Sequence, residues 1–363
     1  MDEYSAARVA FLDVGQGDTT VVWNPSCGEA IVVDCVDPLP VWDLLNKEKV
    51  RRIPAVVVTH LHADHYAGLV SFLDGCQPRG IEWDAVYFYW FQEVARWPRL
   101  LEDGDRHSES TEDSRSIRRQ KRRSMYQTLA HWADVKPNHE RYRDPSHLKE
   151  DSVQGIRTEL LHPVPAQIPR LMGSGELNNL SVVLRVSNDD ASVLLTGDLE
   201  PAGWDVLVEN VPDLSSEVMK FPHHGAWRRN DVDEVLARVR PHIAIISVGT
   251  IGKRYDHPSA NVLDALRRQS LIYTACTQAT RKCVADPDKA KECVRGVLAA
   301  VPNGTDVWCS SSGCPCASTV VVQLGNPPKV LHPSPQMHIQ IIEECLSGAR
   351  CFDATRHQSA TGC

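Results

Sequence analysis

The sequence predicts an α/β sandwich in which helices cover both β-sheets. Short apolar runs with strand character recur in both halves of the chain, and stretches with helical spacing lie between many of them. The composition agrees, because 42% hydrophobic and 24% charged residues are ordinary values for a globular protein. A chain of 363 residues is long enough for one large α/β domain with insertions.

The first half of the chain is rich in predicted strands. Gly- and Pro-containing turns separate the first three of them. The fourth lies within an apolar stretch from Ile53 to Val58, which is typical of a strand buried on both faces. The strands predicted here are 9–15, 19–23, 30–34, 55–58 and 85–90, and the helices are 41–45 and 66–73.

The second half repeats this pattern around two irregular segments. Residues 92–156 are rich in charge and serine, and residues 277–317 are rich in cysteine, so both are predicted as insertions, the first with one or two exposed helices. We therefore predict one domain over 1–332, followed by a C-terminal helix and tail over 333–363. The remaining predicted strands are 158–161, 181–186, 192–195, 217–221, 243–248 and 319–324, and the helices are 204–208, 231–239, 261–268 and 338–346.

The charged insertion contains a basic run, Arg115–Arg123, with six cationic side chains. Such a run can contact phosphates. It can equally be a solvated helix face balanced by the acidic residues of 109–113 just before it. The formal net charge of −8 at pH 7 argues against a protein that coats nucleic acid generally, but it leaves room for a locally basic groove.

The cysteines are concentrated near the C-terminus, where nine of the twelve lie between Cys276 and Cys363. Cys309, Cys314 and Cys316 are close enough to share a zinc ion, yet their spacing matches no standard zinc pair, so free thiols are the favoured interpretation. The acidic N-terminus runs directly into a strand pattern, and no apolar run approaches a membrane span. We therefore expect a soluble, cytoplasmic protein without a signal peptide.

The segment Thr59–His65 carries the strongest chemical signal, because three histidines and one aspartate fall within six residues. Imidazole and carboxylate together suit a borderline transition metal. On an extended segment His60 and His62 point to one side, and the following turn can aim Asp64 and His65 at a second point nearby. The segment therefore predicts a hydrolytic site for two metals. The alternative is a surface loop that happens to be rich in histidine.

Three other predicted strands end in polar residues that could converge on the same place. Asp198 follows the strand 192–195 after Gly197, where a carboxylate suits a bridge between two cations. His223 and His224 follow another strand, so one can bind metal while the other faces substrate. His257 precedes Pro258 and is a candidate substrate-facing residue, although a histidine in a surface loop is an equal alternative.

In this order, these segments resemble the metallo-β-lactamase fold superfamily, and in particular the hydrolase domain of ComEC-type DNA-uptake channels and its soluble relatives. The resemblance extends from residue 9 to about 275 and includes the strand near 320. It implies a four-layer αββα sandwich with a dinuclear centre. The matching stretches are 11–18, 31–34, 59–65, 178–181, 195–200, 223–225, 245–249 and 257–259.

The resemblance also implies roles for individual residues. Asp64 would orient a metal-bound hydroxide, and His223 and His257 would contact phosphoryl oxygens or protonate the leaving group. Three further aspartates, Asp13, Asp18 and Asp34, would orient ligands. The implied ligands are His60, His62 and Asp198 for one metal, and Asp64, His65, Asp198 and His224 for the other.

One position departs from the wider superfamily. Many members supply a further metal-binding histidine between the opening cluster and the bridging aspartate. Here His162 is the only candidate, and its neighbours do not match the usual pattern, so a surface or ligand-orienting role is the alternative.

The function predicted from the sequence is a metal-dependent hydrolase of phosphodiester bonds, with two Zn²⁺ or Mn²⁺ ions and nucleic acid as the leading substrate. A small-molecule hydrolase acting on a lactone, a cyclic nucleotide or a phosphocholine ester would use the same site. A degenerate domain that serves as a binding module is the non-enzymatic alternative. The sequence indicates no membrane partner and identifies no protein partner.

Overall fold

The computed structural model describes residues 6–89, 141–173, 176–250, 257–284, 286–299 and 313–346. The basic run Arg115–Arg123 and Cys309 lie outside these ranges. The strands are β1 Arg8–Phe11, β2 Thr20–Asn24, β3 Glu29–Val33, β4 Arg52–Val57, β5 Glu82–Tyr87, β6 Tyr142–Arg143, β7 Arg157–His162, β8 Val183–Ser187, β9 Ser192–Leu195, β10 Val218–Lys220, β11 Ile243–Ile246, β12 Tyr273–Cys276, β13 Val320–Gln323 and β14 Lys329–His332. The helices are α1 Pro38–Lys47, α2 Ala63–Tyr66, α3 Leu69–Cys76, α4 Ile168–Met172, α5 Pro201–Asn210, α6 Val232–Val239, α7 Ala260–Arg268, α8 Pro287–Ala299 and α9 Pro335–Cys345.

The strands form two sheets. The first has the order β14-β13-β1-β2-β3-β4-β5-β6, and the second has the order β12-β11-β10-β9-β8-β7. Strand β1 lies inside the first sheet because β13 pairs antiparallel with it, with Phe11 opposite Val320. The last part of the sheet therefore comes from a segment far along the chain.

Apolar side chains divide the molecule into four layers, which confirms the predicted αββα sandwich. Alternation along β1 shows the principle, because Val9 and Phe11 join the core between the sheets while Ala10 faces the helices outside. Helices α1 and α3 cover the outer face of the first sheet. Helices α5 to α9 contribute to the core on the outer face of the second sheet.

Parallel pairing places the candidate site. Strands β9, β10 and β11 run parallel in the second sheet, and β3, β4 and β5 run parallel in the first. The carboxyl ends of parallel strands meet at one edge of a sheet, where loops can bring side chains together. The predicted site residues follow β4, β9 and β10 in this way.

The structure adds elements that the sequence did not predict. Strands β12 and β14 were not expected, and helix α8 lies within the predicted 277–317 insertion. The described end of the 92–156 insertion holds the short strand β6 and a 3-10 turn over 145–147 rather than an exposed α-helix. No helix among the described residues is long and apolar enough to cross a membrane.

The cysteines of the C-terminal region are correctly predicted only in part. Cys314 and Cys316 are buried thiols, and no metal-capable group among the described residues includes a cysteine. Cys293 of α8 and Cys345 of α9, however, form a disulfide, so the expectation of free thiols is wrong for this pair. The bond joins two helices that also pack against the same apolar core through Val294 and Ile341.

Candidate metal centre

The loop after β4 holds the first two histidines on the same side of the chain, as expected for an extended segment. His60 Nε2 lies 3.0 Å from His62 Nδ1. His60 is buried, and its Nδ1 lies 3.2 Å from the hydroxyl of Thr59 and 3.4 Å from that of Ser181. Burial, reinforced by His65, lowers the pKa of His60, which favours the neutral imidazole that binds metals.

Helix α2 begins directly after this loop and carries Asp64 and His65 in its single turn. His65 Nδ1 lies 2.7 Å from Asp34 Oδ2, and the same carboxylate accepts hydrogen bonds from the backbone N–H and the hydroxyl of Thr59. This contact turns His65 Nε2 toward Asp198 Oδ2, 3.2 Å away. Asp34 thus makes the contact expected of a carboxylate that orients a metal-binding histidine.

His224 approaches Asp198 from the other side. His223 and His224 follow β10 as expected and lie in a 3-10 turn with φ angles of 47° and 51°. The turn separates the two rings. His224 Nδ1 donates to the carbonyl of Ser247 at 2.8 Å, which leaves Nε2 3.3 Å from Asp198 Oδ2 and 3.6 Å from Asp64 Oδ2.

These side chains form two groups in which all candidate ligand atoms lie within 4.8 Å of one another. Among the described residues, His65 Nε2 and His224 Nε2 are buried and make no hydrogen bond of good geometry. Buried polar atoms that converge without hydrogen-bond partners fit a cation, because such atoms are costly to leave unsatisfied. The two groups are His60, His65 and Asp198, and Asp64, His65 and His224.

The charges around the centre also fit a bound cation. Burial disfavours the protonated forms of His65 and His224, but nearby carboxylates outweigh this effect. They raise the pKa of His65 well above its usual range and the pKa of His224 to about 10. The neighbouring His224, His65 and His223 lower the pKa of Asp198 well below its usual range, although burial raises it. Without metal, protons on the two histidines therefore lie between the rings and the carboxylates, and a divalent cation would replace these protons when bound.

Lys220 is a functional residue that the sequence reasoning missed. It lies in β10 and is buried, its ammonium pairs closely with Asp18, and it donates to the carbonyl of Gly197 at 2.8 Å. Its Nζ is also 3.6 Å from Asp198 Oδ1. A lysine between the apolar Met219 and Phe221 was the available signal, since lysine is almost never fully buried without a partner.

The ammonium of Lys220 also bears on a third group that could hold a metal, which consists of Asp18, Asp198 and His224. Two of these three side chains already face the lysine cation. Like charges repel, so this side of Asp198 suits a second cation less than the side facing His65 and His224. Asp18 itself lies in the loop that follows β1.

Two predicted ligand positions lie apart from the groups. His62 belongs to none of the metal-capable groups in the described part of the chain, although it touches His60. His162 also belongs to none. A surface location is wrong for it, because it is fully buried and its Nε2 donates to the carbonyl of Asn179 at 2.9 Å.

His223 and His257 lie on the more open side of the centre. His223 Nδ1 is 3.3 Å from Glu200 Oε1 and its Nε2 is 3.9 Å from Asp198 Oδ2. Asn178 donates to the same Glu200 oxygen at 3.2 Å. The His257 ring centre is 5.7 Å from that of His223. Glu200 and Asn178 lie in sequence stretches that resemble the superfamily, but they had no assigned role. Only the folded geometry shows their contacts.

Comparison with known proteins places this arrangement in a family. A sequence model described as the metallo-beta-lactamase superfamily matches residues 12–250, about two thirds of the chain. The chain belongs to this superfamily. The matched range contains the loop after β4, Asp198 and His224, so the superfamily's divalent-metal chemistry and its hydrolase class apply to the region that forms the centre.

One curated relative is ComE operon protein 3 of Bacillus subtilis (strain 168), which is 37% identical over 124 residues. That alignment covers 34% of this chain but only 15% of the relative. Among solved structures, the chain is similar to the metallo-beta-lactamase fold protein YhfI from Bacillus subtilis, with a TM-score of 0.39, 9% identity and coverage of 74% of this chain and 96% of that one. It is also similar to the short form of human tRNase Z, with a TM-score of 0.35, 16% identity and coverage of 65% and 91%.

Proposed function

We propose that this protein is a phosphodiesterase that cleaves nucleic acid with two divalent ions, Zn²⁺ or Mn²⁺. One observation carries the proposal. Two ligand groups overlap at His65, which can bind only one ion, so that His60 on one side and Asp64 with His224 on the other offer ligands for separate ions. Asp198 Oδ2 lies 3.2 Å from His65 and 3.3 Å from His224. Two cations held side by side clamp the attacking and leaving oxygens of a phosphodiester and supply an activated hydroxide when bound.

The ligand set of the proposal follows the predicted one. Asp198 would bridge the two ions, because it is the carboxylate that faces histidines of both groups. Asp64 would lie on the substrate side, since its side chain is 36% exposed while those of His224 and Asp198 are almost fully buried. The proposed ligands are His60, His62 and Asp198 for one ion, and Asp64, His65, Asp198 and His224 for the other.

His223 and His257 would play different parts at the leaving group. The Glu200 carboxylate faces His223 Nδ1, which directs Nε2 toward the centre. Burial, reinforced by the neighbouring His223, lowers the pKa of His257 to about 4. His257 is therefore neutral at pH 7 and would hold phosphoryl oxygens by a hydrogen bond, while His223 delivers the proton.

Nucleic acid is proposed as the substrate because the matching stretches resemble the hydrolase domain of DNA-uptake channels. The basic run Arg115–Arg123 adds a possible phosphate contact from sequence. Hydrolysis of a lactone, a cyclic nucleotide or a phosphocholine ester would need the same metal ligands. The substrate must therefore be identified by an experiment that compares these classes directly.

The test uses purified full-length protein stripped of metal and reloaded with Mn²⁺ or Zn²⁺. Labelled single- and double-stranded DNA and RNA are offered beside bis-p-nitrophenyl phosphate, and bound metal is counted by elemental analysis. We expect about two ions per chain and cleavage of the polymer. Asp198→Asn should remove at least one ion and lower turnover by more than about 100-fold. This is a larger loss than replacing a residue that only orients a metal ligand causes. Asp264→Asn, an exposed carboxylate on α7, is the matched control and should change neither.

The outcomes separate the alternatives. Turnover of the small ester without cleavage of any polymer would replace the nuclease proposal with a small-molecule hydrolase. Full activity in Asp198→Asn would overturn the metal assignment. A chain that holds no metal and turns over no ester would favour the binding module, whereas two tightly held ions would count strongly against it.

A further inference from the structure

An exposed arginine lies just beyond the turn that holds the paired histidines. Arg228 is the fourth residue after His224 and belongs to no helix or strand. Within the described part of the chain, its side chain forms no hydrogen bond and no ion pair. A cation in this position has donors to offer to a bound anion.

The neighbours of Arg228 are engaged in the fold. The Arg229 guanidinium donates two hydrogen bonds to Asp205, at 2.7 and 2.9 Å, and its Nε donates to Asp231 at 2.7 Å. Trp227 on the other side is buried in the core of the second sheet. The fold therefore uses the residues before and after Arg228 and leaves the guanidinium between them in solvent.

The backbone on both sides of Arg228 is held by the first turn of α7. Asn261 Nδ2 donates to the carbonyl of Arg229 at 2.9 Å and to the carbonyl of Trp227 at 3.3 Å. The segment that leads into this turn begins with His257, on the open side of the centre. These bonds fix the backbone of Arg228 beside that open side.

The charge of Arg228 reaches the polar groups of the open side. The hydrogen bond with His223 is the main cause that lowers the pKa of Glu200, and the Arg228 cation adds to it. Burial is the main cause of the low pKa of His257, and His223 and Arg228 lower it further. Glu200 already faces His223 and accepts a hydrogen bond from Asn178. The guanidinium thus lies near the reaction site without being consumed by its carboxylate.

We propose that Arg228 binds a second phosphate of the substrate, next to the phosphodiester that is cleaved. The proposal rests on the proposed function and deepens it, because the substrate must then carry at least two neighbouring phosphates. The proposed ions, His223 and His257 already face the cleaved phosphate, so an exposed cation beside them suits the next one. A guanidinium binds phosphate oxygens in pairs through its planar N–H donors. A nucleic-acid strand supplies a row of phosphates, whereas a lactone or a phosphocholine ester does not.

The test measures binding rather than turnover. Calorimetry on Mn²⁺-loaded full-length protein compares adenosine 3′,5′-bisphosphate with the 3′- and 5′-monophosphates, none of which contains a phosphodiester. We expect the bisphosphate to bind about tenfold more tightly than either monophosphate, as one added charged hydrogen-bonded contact would give. Arg228→Gln should abolish this gain and leave the affinity for both monophosphates unchanged.

Two further variants separate a local contact from a general effect of charge. Arg228→Lys keeps the cation but loses the planar fork, so it should retain part of the gain. Arg238→Gln removes the same charge from an exposed position near the end of α6 that leads into β11, away from the carboxyl ends of the strands. It should retain the whole gain. Metal content and melting temperature report the integrity of each variant.

Turnover gives a second readout. On single-stranded DNA, Arg228→Gln should raise KM about tenfold with little change in kcat, and it should make the dependence of log KM on log salt shallower by about 0.7. The KM for bis-p-nitrophenyl phosphate, which has a single phosphate, should not change. A residue with a merely structural role would affect both substrates alike.

A bisphosphate gain that survives in Arg228→Gln would overturn the assignment, as would an equal loss of the gain in Arg238→Gln. Failure of the proposed function is distinct. Bisphosphate binding that depends on Arg228, without cleavage of any phosphodiester, would leave the assignment standing and overturn the nuclease. Cleavage of nucleic acid with the same KM in the wild type and in Arg228→Gln would do the reverse.

Discussion

At the scale of single residues, the carboxylate of Asp34 illustrates how the centre is held in place. It binds no candidate ion in the proposal, yet it is 2.7 Å from His65 Nδ1 and also accepts two hydrogen bonds from Thr59. It thereby fixes the ring of a histidine that belongs to three of the four metal-capable groups among the described residues, one of which contains Asp34 itself. Replacing a residue that acts through a metal-binding histidine in this way should lower metal affinity more than it lowers the overall stability of the fold.

Asp34→Asn tests this role. The amide keeps the shape of the carboxylate but loses its charge, so His65 should be a weaker and less fixed ligand. We expect metal affinity to fall by about 10- to 100-fold, measured by competition with a chromogenic chelator. Asp84→Asn, an exposed carboxylate paired with Arg52, should leave affinity unchanged. An unchanged affinity in Asp34→Asn would contradict the orienting role.

His162 predicts a pH dependence of stability. Burial lowers its pKa to about 4, below the value of about 6.5 expected when unfolded. Between these values the unfolded chain binds a proton that the folded chain does not. The free energy of unfolding should therefore fall as the pH drops from 6.5 to 4, by about 3 kcal/mol from this residue.

The measurement is urea unfolding of the wild type and of His162→Gln at a series of pH values. The pH-dependent difference between them should grow in favour of the variant as the pH falls through this window. His147→Gln, at an exposed histidine, should follow the wild type throughout. Parallel pH profiles for wild type and His162→Gln would show that burial does not depress this pKa.

At the scale of elements, the loop after β1 depends on one glycine. Gly17 has a φ of +130°, and a Cβ placed there would lie 2.3 Å from the carbonyl oxygen of Asp64. The neighbouring Asp18 backbone N–H donates to the same carbonyl at 3.0 Å. Close backbone approach of this kind is possible only for a residue without a side chain.

Gly17→Ala should therefore displace the loop from α2 and disturb Asp64 and His65 together. We expect loss of metal affinity and a lower melting temperature, measured by metal titration and calorimetry. Gly296→Ala on α8 is the matched control, because a Cβ there meets nothing within 4 Å. It should stabilise the protein by about 0.5–1 kcal/mol and leave metal binding intact. Equal effects of the two changes would contradict the role of the contact.

The comparison of elements shows how much the sequence could predict. Alternation along β1 and the apolar run before Thr59 placed both strands, because side-chain periodicity is local information. Strand β12 was missed because Tyr273–Cys276 is short and runs directly into the irregular insertion. Strand β14 was missed because it is an edge strand with only partial burial.

The candidate site divides in the same way. Asp198 and His224 were predicted because each follows a strand-like run, which is visible in the sequence. The pairs Glu200–His223 and Lys220–Asp18 were not predicted, because the first exists only once β9 and β10 lie side by side, and the second only once the loop after β1 of the first sheet meets β10 of the second. The turn that separates His223 from His224 depends on positive φ angles that residue type alone did not indicate.

At the scale of the whole molecule, the centre joins the two sheets. His60 and His65 follow β4 of the first sheet, while Asp198 and His224 follow β9 and β10 of the second. The proposed ions would take ligands from both sheets and so hold the layers together, and they would bind the folded chain only. Ligands of this kind stabilise a protein by mass action.

Chelation should therefore destabilise the entire fold rather than one loop. With free metal at about 1,000 times its Kd, its removal should lower the free energy of unfolding by about 4 kcal/mol. Calorimetric melting with and without EDTA measures this difference. Asp198→Asn, which lacks the shared carboxylate, should respond much less. An identical response in the variant would show that the stabilising ion is bound elsewhere.

The pairing of β13 with β1 also bears on the timing of assembly. On the ribosome, β1 is made long before its partner at Val320–Gln323. The backbone N–H of Asp13 likewise donates to the hydroxyl of Thr319, 306 residues later. The loop that carries Asp18 is thus anchored by chain that is synthesised much later than the loop itself. A nascent copy therefore lacks this anchor beside the candidate centre until translation has passed Thr319.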